Sequence, residues 1–231
     1  MGNRRSPCKT VATADNCHQR SSGGDYSDFA DKPGPFTSCR GRCKVILSLH
    51  RRRRYPPNVM KTPEILFQAK RFRVERVVQT TPDGAEHVRE IVRHPGAVVI
   101  LPILDDGRLC FERNYRAAVG QTLLELPAGT LEPNEDPAVA AVRELAEETG
   151  YRADRIRLLL TFCMSPGILD EQMHLFLAES LHPGPTALEA GEDIQPLLCT
   201  WDEAMEMMRR GEIHDAKTLV ALLYYRAFCA K

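Results

Sequence analysis

Alternating and continuous apolar stretches divide most of the chain into short elements. Residues 65–80 alternate, which predicts one long strand or two short ones, and the residues at 82–84 predict a turn before a return strand over 85–93. Residues 96–104 form an almost continuous apolar run, which is typical of a strand that is covered on both faces. The same patterns predict further strands at 108–113, 123–126, 157–163, 173–178 and 196–200.

Three segments have the pattern of helices. The first covers 136–149, where Asp136 is suited to cap the helix, Pro137 suits its first turn and Gly150 ends it. Strands and helices interleave without a repeating βα unit, and the longest hairpin is antiparallel. We therefore predict an α/β fold in which helices sandwich a mixed β-sheet, preceded by an N-terminal β-hairpin. The other two helices are predicted at 202–210 and 217–228.

Charge separates the chain into two parts. The 231 residues are 43% hydrophobic with a formal net charge of zero, a composition that excludes collagen, a coiled coil and a wholly disordered protein. Residues 1–59 hold 12 Lys or Arg and 4 Asp or Glu, so they carry +8 and the remainder carries −8. Because the first part has one short apolar run, we predict a basic, disordered extension, or an upstream stretch that is not translated if Met60 is the start. The predicted folded domain is 60–231, with the hairpin over 60–95 and a catalytic core over 96–231.

The lengths of the apolar runs and the positions of the cysteines indicate in which part of the cell the protein is found. The richest apolar stretches end after seven residues, short of the ~18 that a membrane helix needs, so we expect no membrane span. Neither a signal peptide nor a transit peptide matches the extension. Cys110, Cys163, Cys199 and Cys229 lie in apolar runs and are predicted to be buried thiols, which favours a reducing compartment, the cytoplasm. We interpret Arg51–Arg54 as a solvated basic tail, with nucleic acid or import machinery as the alternative partner.

Three carboxylates crowd one face of the first predicted helix. Glu144, Glu147 and Glu148 stand at i, i+3 and i+4, which places them about 5–6 Å apart. Arg143, the only basic residue in this helix, is one position away from them. Acidic oxygen clusters suit Mg²⁺ or Mn²⁺, because these cations prefer carboxylates and keep waters that a phosphate can replace. A solvated helix face is the alternative interpretation of the cluster taken alone.

The residues around this helix resemble the Nudix box, G-x5-E-x7-R-E-U-x-E-E-x-G-U, where U is a bulky aliphatic residue. Only Tyr151, at the last U position, departs from the pattern. The resemblance implies a Nudix-type α/β/α sandwich with a mixed β-sheet, in agreement with the strand pattern. The fixed positions are occupied by Gly129, Glu135, Arg143, Glu144, Glu147, Glu148 and Gly150.

The resemblance also implies roles for the residues of the box. Glu144, Glu147 and Glu148 would hold Mg²⁺, with Mn²⁺ as a substitute. Arg143 would pair with Glu135 to orient the helix. The box glycine, Gly129, would allow a tight turn into the loop.

Four motifs outside the helix resemble the ADP-ribose pyrophosphatase branch of this family. By this resemblance Arg116 contacts the diphosphate or the terminal ribose phosphate, although a surface ion pair is its alternative role. The carbonyl of Ala128 adds a metal ligand, and Pro166 opens a loop that carries a catalytic glutamate, Glu171. The motifs are Asn114–Arg116, Glu125–Gly129, Ser165–Gly167 and Gly211–Thr218, the last of which we expect to cap and pack the final helix.

The implied activity is hydrolysis of ADP-ribose, or of a related nucleoside diphosphate sugar, to a nucleoside monophosphate and a sugar phosphate. A GDP-mannose or other nucleoside diphosphate sugar pyrophosphatase is the alternative enzyme. A catalytically silent nucleotide-binding module is a further alternative, which the intact box glutamates disfavour. Glu171 is the expected general base, with Asp170 and Glu148 as alternatives.

The predicted N-terminal hairpin at 60–95 indicates how two copies of the chain could assemble. The resembled branch forms homodimers through such an N-terminal element, so we expect a homodimer and no nucleic acid as partner. The apolar residues that we expect the partner to cover are Val74, Val77 and Val78.

Overall fold

The computed structural model describes residues 63–81, 83–188 and 193–230, so the predicted extension over 1–59 and the start at Met60 lie outside the described residues. No helix in these ranges is long and apolar enough to cross a membrane. The strands of the described ranges are β1 (Glu64–Gln68), β2 (Arg73–Thr80), β3 (Glu86–Arg93), β4 (Ala97–Pro102), β5 (Leu109–Arg116), β6 (Gln121–Glu125), β7 (Ala128–Thr130), β8 (Tyr151–Cys163), β9 (Gln172–Pro183) and β10 (Ile194–Cys199). The helices are α1 (Pro137–Thr149), α2 (Trp201–Arg209) and α3 (Ala216–Phe228).

These strands form three sheets. An N-terminal sheet has the order β1-β2-β3, a second sheet has the order β10-β5-β6, and a four-stranded sheet has the order β7-β4-β9-β8. In the four-stranded sheet β4 and β9 run parallel, whereas β4 with β7 and β8 with β9 run antiparallel. This arrangement confirms the predicted mixed sheet.

Strand β4 is buried on both faces, as its continuous apolar run predicts. Because side chains alternate along a strand, Val98 and Ile100 pack with α1, whereas Val99 and Leu101 face the opposite way. That second face packs with β5, β6, α2 and α3 around Phe111. Helices therefore cover both sides of the sheets, and the predicted α/β/α sandwich is confirmed.

Helix α1 begins and ends where its sequence predicts. The Asp136 side chain accepts a hydrogen bond from the Ala138 N–H at 2.8 Å, and Pro137 occupies the first turn. Gly150 has a φ of 73° and donates its N–H to the Ala146 carbonyl. Only a residue without Cβ adopts this conformation at little cost, so the helix stops here. Tyr151 follows Gly150 and is half-buried against the apolar residues that pack between α1 and β4.

The N-terminal sheet differs in detail from the predicted hairpin. Residues 65–80 form two strands rather than one, and Gly84 makes the turn to β3 with a φ of 85°. Val77 is 3% exposed, so the prediction that a partner must cover it was wrong. The sheet covers this side chain within the chain itself. The exposed apolar residues are others, with Ile65 at 58% and Phe67 at 55%.

Three further predictions need correction. Residues 127–129 were expected to end the strand predicted at 123–126, but residues 128–130 form a strand of their own, β7, through pairing with β4. Strands β8 and β9 are longer than predicted because they pair with each other from Tyr151 to Cys163. Cys163 is exposed and Cys229 only half-buried, because one ends β8 and the other follows the last turn of α3. Cys110 and Cys199 are buried, as predicted.

Candidate active site

A cavity of about 760 Å³ is lined by the predicted box, by the loop after β8 and by the N-terminal sheet. This volume suits a nucleotide-sized ligand. Acidic side chains line the cavity from α1, the loop before α1, the loop after β8 and the start of α3, and basic ones line it from the N-terminal sheet, β5, α1 and α3. The basic lining residues are Lys70, Arg71, Arg73, Arg93, Arg116, Arg143 and Lys217.

The box places Glu144 against the glycine that opens it. Gly129 lies in β7 without the left-handed φ that a tight glycine turn requires. A Cβ added at Gly129 would lie 1.8 Å from Oε1 of Glu144. The position therefore excludes a side chain because the Glu144 carboxylate packs on it, and the tight-turn explanation from the sequence was wrong.

Arg143 connects the box loop with the carboxylates of α1. Its guanidinium donates to Glu135 through Nε at 2.9 Å and Nη2 at 3.0 Å. Nη1 donates to Glu144 at 2.8 Å and to Glu147 at 3.0 Å, so Arg143 reaches the cluster although it is one position away. The bond to Glu135 is the main cause that raises the pKa of Arg143. Glu147 is not among the residues that line the cavity, whereas Glu144 and Glu148 are.

Glu148 lies deeper than its neighbours on α1 and is 4% exposed. Its Oε2 accepts the N–H of Ala128 at 2.9 Å, which ties α1 to β7. The carboxyl of Glu112, from β5, lies against it. Burial is the main cause that raises the pKa of both carboxyl groups, and their proximity adds to the effect for Glu148.

Arg116 forms a two-pronged ion pair with a buried carboxylate. Its Nε and Nη2 donate to Glu125 at 2.8 Å and 2.7 Å. Lys217 donates to the same carboxylate. Although burial raises the pKa of Glu125, the bonds to Arg116 and Lys217 hold it below its ordinary value. Arg116 lines the cavity, and its two Nη1 donors and the second Nη2 donor are not used by Glu125, so they are available to a ligand.

The motif at 211–218 both caps α3 and reaches the cavity. Asp215 accepts the N–H of Thr218 at 3.0 Å, as expected for a cap. Thr218 in turn accepts the N–H of Leu126 at 2.9 Å, which fixes the strand that leads into the box. Lys217 and Asp215 line the cavity, a role that the sequence did not reveal.

The loop after β8 separates its two acidic residues. Ser165 accepts the N–H groups of Ile168 and Leu169, which closes the turn around Pro166. Asp170 receives the Arg93 guanidinium on Oδ2 at 3.0 Å and the His94 N–H on Oδ1 at 2.8 Å. Glu171 lines the cavity, with Oε1 3.5 Å from Nδ1 of His94.

Comparison with known proteins identifies the family. The model of the NUDIX domain matches residues 92–222. The chain belongs to the NUDIX domain family. This confirms the resemblance that the box residues carry.

Similar proteins agree with this Nudix assignment. The chain is 40% identical over 145 residues to the methanol dehydrogenase activator of Bacillus methanolicus and to the ADP-ribose pyrophosphatase of Bacillus subtilis, covering 62% of this chain and 78% of each relative. A crystal structure of an ADP compounds hydrolase superposes with a TM-score of 0.66 and 25% identity, covering 74% of this chain and 93% of that one. The similarity to an ADP-ribose pyrophosphatase agrees with the branch that the outer motifs resemble.

Nudix hydrolases generally use divalent cations, and the donors of this site fit such an ion. Glu144 and Glu148 offer carboxylate oxygens, the ligands that hard cations prefer. Oε2 of Glu112 is buried without a hydrogen-bond partner among the described residues. In the described part of the chain, no three acidic, His or Cys side chains already surround one metal position. In this structure Arg143 and the Ala128 N–H occupy oxygens of Glu144 and Glu148.

Sequence reasoning missed several residues around this site, and four of them show why. Glu112 had a signal, because it is an acid that directly follows the apolar residues of a predicted strand. Lys217 lay inside a motif that was interpreted as a helix cap. Nothing in the sequence linked Arg93 or His94 to the loop, because 76 or 77 residues separate them from Asp170.

Proposed function

We propose that this Nudix protein hydrolyses the diphosphate bond of ADP-ribose, or of a similar nucleoside diphosphate sugar, to a nucleoside monophosphate and a sugar phosphate. One observation carries the proposal. A single cavity of about 760 Å³ brings buried carboxylates on α1 opposite arginine and lysine side chains. Carboxylates suit a divalent cation, and basic side chains suit the diphosphate oxygens that such a cation leaves uncovered.

The diphosphate is bound from the basic side of the cavity. Arg116 is fixed by Glu125, so its free Nη1 donors meet a phosphate oxygen without first losing conformational freedom. Arg73 is oriented in the same way by Glu75, at 2.6 Å. This pairing keeps both guanidinium groups positioned toward the cavity when it holds no anion.

Glu144 and Glu148, with the Ala128 carbonyl, hold the cation, which we propose to be Mg²⁺ with Mn²⁺ as a substitute. When bound, the cation neutralises phosphate oxygens and lowers the pKa of a coordinated water. Arg143 and Glu135 keep α1 in register with the box loop. Glu147 contributes through Arg143 and does not line the cavity.

Glu171 is the proposed general base. It lines the cavity, whereas both oxygens of its neighbour Asp170 are engaged by Arg93 and the His94 N–H. Glu148 is committed to the cation, which lowers its basicity. Glu171 therefore accepts a proton from the attacking water, whose oxygen forms a new bond to one phosphorus of the diphosphate. The bond from that phosphorus to the bridging oxygen breaks, and the bridging oxygen leaves with the other phosphate.

The N-terminal sheet supports a homodimer. Ile65, Phe67 and Val88 are all more than half exposed on this sheet. Exposed apolar side chains of this size suit a protein interface, which here would be the outer surface of this sheet. We propose that a second copy covers it, and light scattering of the full chain should give about 52 kDa, twice the 26.0 kDa chain mass. A mass of one chain at micromolar concentration would contradict the dimer.

The cytoplasm is the proposed location. Cys110 and Cys199 are free and buried, and burial raises the pKa of the Cys110 thiol to about 12 and that of Cys199 to about 11. Thiols held in this protonated state resist oxidation, and free buried cysteines are typical of proteins from reducing compartments.

A substrate panel tests the activity. The full chain is incubated with Mg²⁺ and ADP-ribose, GDP-mannose, UDP-glucose or NAD⁺, and the products are separated by anion-exchange chromatography. We expect AMP and ribose 5-phosphate in equal amounts from ADP-ribose, with no product after chelation of the metal. Faster turnover of GDP-mannose than of ADP-ribose would identify GDP-mannose as the preferred substrate. Tight binding of every compound without turnover would support a silent binding module instead.

A further inference from the structure

Glu112 is a buried carboxylate that the proposed mechanism does not use. It lies on β5, with 0% of the residue exposed. Its Oε1 accepts the Asn114 side-chain N–H at 3.3 Å. Its other oxygen, Oε2, has no hydrogen-bond partner in the part of the chain that the structure describes. A buried polar atom without a partner is rare in folded proteins and calls for a physical explanation.

Glu112 forms no ion pair of its own among the described residues. Its cross-strand neighbour on β6 is Glu125, which pairs with both nearby basic side chains, Arg116 and Lys217. Arg116 acts on Glu112 only through its charge, and the carboxyl that lies against Glu112 is that of Glu148. In the described part of the chain Glu148 also forms no ion pair, so neither acid of this buried pair has a basic side chain as a direct partner there.

Glu148 connects this pair to the cavity. It lines the cavity, and Glu112 lies directly behind it, on the strand that also presents Asn114 and Arg116. A divalent cation at Glu148 would supply the missing charge. Carboxylate oxygens are the donors that Mg²⁺ and Mn²⁺ prefer, and Oε2 of Glu112 is an oxygen with no other use.

We propose that Glu112 is a further carboxylate ligand of the divalent cation held by Glu144 and Glu148, an inference that rests on the proposed function. The ligand set then contains three carboxylates from two elements, one from β5 and two from α1. A larger number of charged ligands binds a cation more tightly. Glu112 also fixes the cation to the strand that carries Arg116, so the metal and the phosphate-binding arginine share one rigid support.

The alternative is a purely structural carboxyl that is protonated and donates a hydrogen bond to Glu148. Substitution by glutamine separates the two roles. The glutamine amide has the same shape, retains an oxygen for Asn114 and donates to Glu148 through its NH₂ group. It preserves a structural hydrogen bond but removes the charge that a cation requires.

The test is the affinity of the full chain for Mn²⁺, measured from the electron paramagnetic resonance signal of the free ion. Glu112→Gln is compared with the unchanged chain and with Glu148→Gln. The charge-matched control is Glu206→Gln, which removes one partly exposed acid on α2 that does not line the cavity. We expect Glu112→Gln to weaken Mn²⁺ binding by at least about 10–100-fold. This is the range typical for loss of a residue that only supports a metal ligand, and loss of a ligand itself should cost no less. Glu206→Gln should leave the affinity unchanged.

Thermal unfolding gives a second measurement that does not depend on activity. Without metal, Glu112→Gln should melt at the same temperature or higher, because it relieves an uncompensated acid pair. Added Mn²⁺ should then raise its melting temperature less than that of the unchanged chain. A Glu112→Gln chain that fails to fold without metal would contradict the proposal.

The two variants distinguish which proposal fails. If Glu148→Gln weakens Mn²⁺ binding and Glu112→Gln does not, Glu112 is structural and only this inference is overturned. If neither variant changes the affinity, the cation site on α1 is itself wrong, and the proposed function loses its metal. Weakened binding in both variants, with the Glu206→Gln control unchanged, supports the ligand role.

Discussion

Helix α1 and the loop over residues 164–171 both bring acids to the same cavity, but they hold them in different ways. On α1, Glu144 and Glu147 share the guanidinium of Arg143, and Glu148 lies beneath them beside another acid. On the loop, two consecutive acids point to different partners. Asp170 is held by the N-terminal sheet, and Glu171 lines the cavity.

The difference indicates how acids can be divided between two roles. Crowded carboxylates repel one another, so the proposed cation would stabilise the acids of α1 and make them poor bases while it is bound. On the loop, one acid is neutralised by an arginine so that its neighbour keeps a fixed position without a cation of its own. The proposed mechanism thus assigns metal binding and proton acceptance to separate regions of the protein.

The largest effect should come from the buried acid of α1. We expect Glu148→Gln to lower kcat by roughly 10³-fold, because a bound metal supplies several kcal/mol of charge stabilisation in the transition state. Glu147→Gln is the matched control on the same helix. Its carboxylate pairs with Arg143 outside the cavity lining, so we expect a loss of at most about 10-fold.

Steady-state kinetics at saturating Mg²⁺ measure both variants. Equal large losses would mean that Glu147 turns into the cavity when metal is present. Near-normal turnover of Glu148→Gln would remove the distinction between the two regions altogether.

The part of this site on α1 could be predicted because its causes are local. Asp136, Pro137 and Gly150 fix the ends of the helix, and the spacing of the three glutamates fixes their common face. These contacts lie within one helix, so the sequence contains nearly all of the information. The distinction between Glu147 and Glu148 was not predicted, because it depends on how deeply α1 packs against β4 and β7.

The rest of the site depends on contacts between distant segments. Lys217 meets Glu125 across 92 residues, and Arg93 meets Asp170 across 77. Strand order decides both contacts, and a linear pattern of apolar residues does not specify strand order. For the same reason β7 was missed, since three residues become a strand only when β4 lies beside them.

A smaller but still large effect should come from the acid of the loop that lines the cavity. We expect Glu171→Gln to lower kcat at least ~100-fold with little change in KM, since loss of a general base affects the chemical step. Its affinity for Mn²⁺ should remain unchanged, which would separate the loop from α1. A Mn²⁺ affinity that falls with kcat would show that Glu171 binds the cation and that the two regions form one metal site.

The smallest effect should come from the other acid of the loop. Asp170→Asn keeps an oxygen for the His94 N–H but loses the ion pair with Arg93, so the loop should be held less firmly. An ion pair this exposed is worth about 0.2–1 kcal/mol, so its loss should lower kcat by at most about 5-fold. Arg93 also binds Glu75 at 2.7 Å, so the N-terminal sheet should remain folded.

Hydrogen exchange distinguishes a positioning role of Asp170 from a chemical one. The amides of Ile168, Leu169 and Asp170, bonded to Ser165 and Val92, should exchange faster in Asp170→Asn and at the normal rate in Glu171→Gln. If Asp170→Asn loses as much turnover as Glu171→Gln while its loop exchanges normally, Asp170 is the base and not a residue that anchors the loop.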